Sequence, residues 1–341
     1  MSDAQLVIRP SRDVARTRPE PVYTDTDFAL GDEARELIAE GVADETRRAY
    51  ARHWRDFEDW CAHTGRVPLP ATPHTFTEYV TDMCARGLAP VSIEQAMAAI
   101  RTCHRTAGYK GQPDREGAAL ALRGYRQRRA KSGRRNQRQA PVLTIEQVRA
   151  MAGVCPDDPA GWRDRLVLDL GVALMGRRSE LIALFQDDVR VVDGELEVLI
   201  RHSKTDQDAH GETVYIPPGE HPLTDPVGAW RQWTAFLAEH GHTGGRLLRR
   251  FYRNHRVGPS LGGDAVNDII RGLAVRAGID GAEDVTAHSL RATGASWAYA
   301  ERAPMSAITE HGRWKPGSSV VLRYIRAVDK RRNNPMRGAG L

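Results

Sequence analysis

Val189-Arg-Val-Val192, Asp193-Gly194 and Glu195-Leu-Glu-Val-Leu-Ile-Arg201 follow one another without a break, and apolar residues recur there at every second position around a turn dipeptide. Alternation of this kind turns one face of a strand inward and the other outward, and Asp-Gly supplies the two positive-φ residues of a tight hairpin. Thr213-Val-Tyr-Ile216 reads as a third short strand. Outward from this hairpin, in both directions, the period returns to three and four. Trp162–Leu184 reads as helix, turn and helix. Upstream of it, Thr144 with Gln147 three residues later forms a helix-opening box for a helix to Met151. Residues after Asp225 are again helical. The pattern predicts a mainly α chain with a small antiparallel β-sheet.

Farther toward the N-terminus the helical period is unbroken from about Asp25 to Tyr125. Thr46, Tyr50, Trp54, Phe57, Trp60 and Cys61 mark a core stripe. Helices are expected over Pro73–Arg86, Val91–Ala107 and Glu116–Arg126. A length of 341 residues exceeds one typical domain. The expected organisation is a flexible N-terminal arm (1–24), a helical domain (25–125), a basic exposed linker (126–139), a second domain (140–330) and a C-terminal tail (331–341). The linker, Arg126-Gln-Arg-Arg-Ala-Lys-Ser-Gly-Arg-Arg-Asn-Gln-Arg138, is almost free of apolar residues.

The formal charge is +5, and arginine carries it, since only five lysines occur: Lys110, Lys131, Lys204, Lys315 and Lys330. A planar guanidinium matches the oxygens of a phosphate, so the balance fits nucleic acid, although a coding bias toward arginine produces the same composition. Cys61, Cys84, Cys103 and Cys155 are scattered without a zinc-binding spacing and read as small hydrophobes. No apolar run is long enough to span a bilayer, and Met1-Ser-Asp-Ala-Gln5 lacks the features of a signal peptide, so a cytoplasmic, reduced setting is expected.

Chemistry concentrates near the C-terminus. Thr286-Ala-His-Ser-Leu-Arg291 places His288 and Arg291 three residues apart, on one face of a helix. Gly312-Arg-Trp-Lys-Pro-Gly-Ser-Ser-Val-Val-Leu-Arg-Tyr324 adds Trp314 and Tyr324. Upstream, Arg177 and Glu180 share the three-residue spacing, with Arg178 as a rival for Arg177, and Lys204 sits where strands two and three join. Each signal alone has an ordinary reading: a helical surface pair, a solvated turn lysine, a packed tryptophan or tyrosine. Together they run in the order Arg, Glu, Lys, His, Arg, Trp, Tyr. That set suits an attack on a phosphodiester, whose transition state gathers negative charge on the non-bridging oxygens.

In this order and layout, from about residue 25 to the end, the chain resembles the tyrosine recombinase and integrase family. The resemblance implies a two-domain DNA clamp, with a core-binding domain carrying Thr46-Arg-Arg-Ala-Tyr50 and Trp54–Trp60. It implies that Arg177 and Arg291 clamp the phosphate, that Lys204 protonates the leaving 5′-hydroxyl, and that His288 moves the proton of Tyr324. It further implies that Tyr324 forms a 3′-phosphotyrosyl bond, that Trp314 stands where many members carry a second histidine, and that Glu180 orients neighbouring donors. Trp314 precedes Tyr324 by ten residues where nine is the usual family spacing, and His311 competes with it for the donor role. The implied partners are double-stranded DNA and three further copies of the chain, in a homotetramer that passes through a Holliday junction, with the tail docking on a neighbouring copy. No cofactor, metal, nucleotide or membrane is expected, because exchanging one phosphate ester for another needs no energy source. The sequence has no G-x-x-x-x-G-K-S/T loop and no carboxylate cluster suited to paired magnesium ions. Candidate DNA contacts are Arg47, Arg52, Arg101 and Arg105 in the helical domain, Arg128, Arg129, Lys131, Arg134 and Arg135 in the basic segment, and Arg249, Arg250, Arg253 and Arg256 in the second domain. A type IB topoisomerase and a DNA-binding protein that has lost catalysis are the competing readings.

Overall fold

The computed structural model describes residues 24–41, 44–133, 140–203, 211–253 and 256–332. The chain divides into two compact units between Arg138 and Gln139. The first contains α1 (Asp32–Glu40), α2 (Asp44–Thr64), α3 (Pro73–Ala85), α4 (Pro90–Thr106) and α5 (Glu116–Lys131). Prolines open α3 and α4 at the first turn, where a missing N–H costs no helical bond. Thr72 caps α3, its hydroxyl accepting from the Thr75 amide at 3.1 Å.

Phe57, Phe76, Val80, Ile93 and Ile100 are fully buried at the centre of this unit. Each contributes about 1.5–3 kcal/mol of burial energy. Along α2 the core stripe starts later than the period suggests, because Thr46 is exposed while Phe57 and Cys61 are buried and Trp54 and Trp60 pack at the margin. The buried His104 is fully satisfied, its Nδ1 donating to the Ile100 carbonyl at 2.8 Å and its Nε2 accepting from the Ala71 amide at 2.8 Å.

The expected linker begins too early. α5 continues through Arg126, Arg128 and Arg129 to Lys131. Leu122 and Tyr125 anchor its apolar side, the Tyr125 hydroxyl donates to the Leu88 carbonyl at 3.0 Å, and cations are favoured at a helix C-terminus. Residues 134–139, the N-terminal arm up to residue 23 and the tail from residue 333 lie outside the described residues.

The second unit contains α6 (Ile145–Gly153), α7 (Pro159–Ala173), α8 (Arg178–Ala183), β1 (Val189–Val192), β2 (Glu195–Ile200), β3 (Glu212–Ile216), α9 (Pro226–Glu239), α10 (Gly263–Arg276), α11 (Ala287–Ala300), α12 (Met305–His311) and α13 (Ser319–Arg332). The strands form an antiparallel sheet in the order β1-β2-β3, with Val192 opposite Glu195 and Leu196 opposite Ile216. Asp193 and Gly194 close the hairpin at φ 51° and 89°. Leu196, Val198 and Ile200 are buried, so the alternation does turn one face inward. Thr144 and Gln147 form their reciprocal cap on α6, at 2.9 and 3.3 Å.

α7 runs through the core, and α11 crosses it closely. A Cβ on Gly171 would lie 2.6 Å from Leu290 Cδ1, and one on Gly294 would lie 2.3 Å from the Val172 carbonyl oxygen. Only glycine permits that approach. A separate small core joins Met175, Ala292, Ala295, Ile308, Trp314, Val321, Tyr324 and Ile325, tying α11, α12 and α13 together. α13 passes through the expected domain end at residue 330 and reaches Arg332, the last described residue. Among the described residues no helix is long and apolar enough to cross a membrane.

Candidate active site

Arg177 lies just before α8, not within it. Its extended backbone (φ −74°, ψ 152°) makes it the cap residue, and its amide donates to Glu180 Oε2 at 2.9 Å. The Arg-x-x-Glu spacing, read as a helical face, is thus the glutamate half of a capping box, Glu180 reaching back to the cap amide, with a charged pair added: the Arg177 guanidinium donates to Glu180 Oε1 at 2.5 Å. Arg178 turns away to Asp264, 2.9 Å distant, and does not join the cluster.

Glu180 is only 4% exposed and serves a second cation, since Arg313 donates to its Oε2 at 2.9 Å. Burial alone would raise its pKa. Arg313, the Arg177 amide and the Arg177 guanidinium outweigh burial and hold the carboxyl below its ordinary value.

Arg291 is buried on α11. It donates to the Met175 carbonyl and, at 2.5 Å, to the Gly312 carbonyl. Its guanidinium stacks on the Trp314 ring, 3.9 Å from the centroid. Burial, then the like charge of Arg177, lowers its pKa to about 9, which leaves it a cation at neutral pH. Arg177 in turn donates to the Arg313 carbonyl at 3.2 Å. Both arginines therefore rest on consecutive carbonyls of the turn between α12 and α13.

Tyr324, on α13, is 4% exposed, and its hydroxyl lies 2.6 Å from His288 Nε2. Burial raises the Tyr324 pKa, and Arg291, Arg323 and Arg177 offset part of that rise. Burial and the same three arginines lower the pKa of His288, so its ring is neutral at pH 7 and its Nε2 is available to accept the phenolic proton. Trp314 packs beside Tyr324 with ring centroids 6.2 Å apart. It also covers Gly312, where an added Cβ would fall 1.8 Å from the indole ring. His311, the competitor for Trp314, points elsewhere: its Nε2 bonds the Ala173 carbonyl at 2.7 Å.

Arg177, Glu180, His288, Arg291, Trp314 and Tyr324 thus converge from α8, α11, the α12–α13 turn and α13. Lys204 lies outside the described residues. Ser203 and Glu212, on either side of its segment, line a cleft of about 680 Å³ together with Arg313, Trp314 and Val321. Sequence reasoning missed Arg313, whose side chain is fully buried. The only hint was a cation directly beside Trp314. Among the described residues no three His, Cys, Asp or Glu side chains converge to hold a metal ion.

The candidate DNA contacts divide by environment. Arg101 and Arg105 on α4 line a groove of about 550 Å³ with Arg115, Arg123 and Arg126, three arginines absent from the sequence-based set of contacts. Arg47, Arg52, Arg128 and Lys131 are exposed. Arg129 is half-buried and stacks on Tyr125, donating to its hydroxyl at 3.1 Å. Arg134 and Arg135 lie outside the described residues. In the second unit Arg250 and Arg256 flank the Tyr252 ring at 4.5 and 5.3 Å, and Arg253 is exposed. Arg249, by contrast, is buried and donates to the Arg246 carbonyl at 3.0 Å and to the Gly244 carbonyl, so part of its fork braces its own loop.

The model of the phage integrase family matches residues 141–331, more than half of the chain. An integrase/recombinase XerD homologue of Selenomonas ruminantium is 30% identical over 203 residues, covering 59% of this chain and 58% of the relative, so the match spans less than two thirds of that protein. The Cre recombinase of Escherichia phage P1 is 23% identical over 325 residues, covering 88% of this chain and 91% of Cre. A lambda integrase tetramer bound to a Holliday junction shares the fold with a TM-score of 0.51 at 16% identity, covering 85% of this chain and 74% of that one. With its second unit matched from Pro141 into α13, the chain belongs to the phage integrase family of tyrosine recombinases.

Proposed function

We propose that this chain is a site-specific recombinase that cuts DNA through a 3′-phosphotyrosyl intermediate and exchanges strands in a homotetramer through a Holliday junction. The observation that carries the reading is the Tyr324 hydroxyl 2.6 Å from His288 Nε2, beside two arginines seated on one turn. In the proposed step His288 Nε2 takes the phenolic proton as the Tyr324 oxygen bonds to phosphorus. Arg177 and Arg291 receive the charge that grows on the non-bridging oxygens. The bond to the 5′-oxygen breaks, and Lys204 supplies the proton to that oxygen. A 5′-hydroxyl from the other strand then reverses the chemistry, and ester is exchanged for ester.

Double-stranded DNA is the proposed substrate, and its phosphates suit the arginine-lined groove of the first unit as well as Arg250, Arg253 and Arg256. The chain is proposed to work in the cytoplasm on the nucleoid, with residues 331–341 docking on a neighbouring copy. The test is a denaturing gel of wild type and Tyr324→Phe incubated with nicked duplex fragments from the replicon that encodes the chain, without added metal or ATP. A slow-migrating adduct formed by wild type and absent from the variant is expected. Adduct with relaxation of supercoils but no pairing of sites would replace the reading with a topoisomerase-like one. Binding on a native gel with no adduct from either protein would leave a catalytically silent DNA-binding protein.

A further inference from the structure

We infer that Arg313 is a positioning residue, the pin that holds the nucleophile helix and both phosphate-clamping arginines in one register. The inference rests on the recombinase reading above and adds to it a residue which the ordered constellation does not contain.

The observations lie within three consecutive residues. Gly312 offers its carbonyl to Arg291, Arg313 offers its carbonyl to Arg177, and Trp314 lies under the Arg291 guanidinium and against Tyr324. Whatever fixes this turn therefore fixes both clamps and one wall of the nucleophile's pocket. The Arg313 side chain does the fixing. Its guanidinium is fully buried and donates to Glu180 Oε2 at 2.9 Å, to the Leu174 carbonyl at 3.2 Å and to the His311 carbonyl at 2.7 Å. Those acceptors belong to α8, to the α7–α8 turn and to the end of α12. One side chain thus ties the turn to the helix that carries Glu180 and to the helix that precedes the turn.

The backbone gives a second, independent sign. Arg313 has φ +55°, in the left-handed region that favours glycine. An arginine held there, with its charge out of water, is costly at two levels. A glycine would satisfy the turn without either cost. The placement is therefore explained by what the guanidinium holds. Only a forked, planar donor set reaches a carboxylate and two carbonyls at once, so lysine is a poor substitute.

The experiment compares wild type, Arg313→Gly and Arg313→Lys on a nicked duplex fragment that traps wild type, measuring single-turnover adduct formation at saturating protein and half-saturation by native gel. Arg313→Gly relieves the backbone and removes the pin. Its cleavage rate at saturation is expected to fall on the order of 10- to 100-fold, the scale of a small misplacement of reacting groups, with half-saturation within about twofold of wild type. Arg313→Lys is expected to cleave at an intermediate rate. A saturating rate within twofold of wild type in the folded glycine variant would overturn the inference, as would a loss carried wholly by weaker binding. Should Arg313→Gly fail to fold, Arg313→Lys decides alone, with a fivefold loss at saturation expected and a wild-type rate fatal. If wild type itself traps no fragment, the recombinase reading fails and the Arg313 variants are not what refuted it.

Discussion

Two parts of this molecule are built from arginine and treat it in opposite ways. In the second unit Arg177, Arg291 and Arg313 are tied to carbonyls and to one carboxylate, and Arg291 and Arg313 are withdrawn from water. In the first unit Arg101, Arg105, Arg115, Arg123 and Arg126 line an open groove, and among their contacts is a solvent-facing pair of Arg126 with Glu94 at 2.7 Å. The first arrangement fixes direction before any phosphate arrives, which suits stabilising a transition state. The second fixes little and suits holding a long polyanion by counterion release. The residue type is the same in both; what differs is how much of each side chain's freedom the fold has already removed.

The sharpest way to break this contrast is to remove one clamp. Arg177→Ala should keep its fold, because Arg313 and the residue-177 amide still hold Glu180. It should lose on the order of 10³-fold in cleavage rate at saturating DNA while binding DNA nearly as wild type, as removal of one oriented charge donor does in other enzymes. A parallel loss of binding, read on a native gel, would mean that Arg177 is only another backbone contact.

Protonation gives the next largest effect. Burial and three arginines hold the His288 imidazole below its ordinary pKa, so it stays able to accept the Tyr324 proton to a lower pH than a free imidazole would. The acid limb of cleavage should therefore be centred below the ordinary imidazole pKa of about 6.5. His288→Gln should cost on the order of 10²-fold and abolish that acid limb. An acid limb centred above pH 7, or one that survives in the variant, would show that His288 does not take the proton.

Much of this was legible in the sequence, for identifiable reasons. The hairpin announced itself because alternation around Asp193-Gly194 has one geometric meaning, and the cap of Thr144 with Gln147 likewise. Arg177, His288, Arg291 and Tyr324 were singled out by their order, and the structure brings them together. The misreadings share a cause. Arg177 appeared to lie on a helix because Arg-x-x-Glu fits a helical face as well as a cap residue whose amide is met by the glutamate three residues on. The bonds of Arg249 to the carbonyls of its own loop were not foreseen, because a loop's need for such a donor leaves no mark in composition. Arg313 was overlooked since its partners are two main-chain carbonyls and a glutamate 133 residues away. Residues 126–131 read as linker because charge density hides a helix whose buried anchors, Ala118, Leu122 and Tyr125, all lie upstream of them.

The smallest expected effect tests the groove. Arg123→Ala, on α5, removes one exposed cation and should weaken DNA binding only a few-fold near physiological salt. The informative quantity is the slope: a plot of log affinity against log salt should become shallower by about 0.9, one counterion's worth, while the cleavage rate at saturation stays at the wild-type value. The same substitution made in a tied arginine would behave in the reverse sense, with chemistry lost and slope kept. If Arg123→Ala left the slope unchanged, the groove would be a solvated surface and grip would have to come from Arg47, Arg52 and the α5 terminus at Arg128 and Lys131. If it slowed cleavage at saturation as well, the two arginine environments would be energetically coupled, and the division of labour between holding DNA and cutting it would not follow burial.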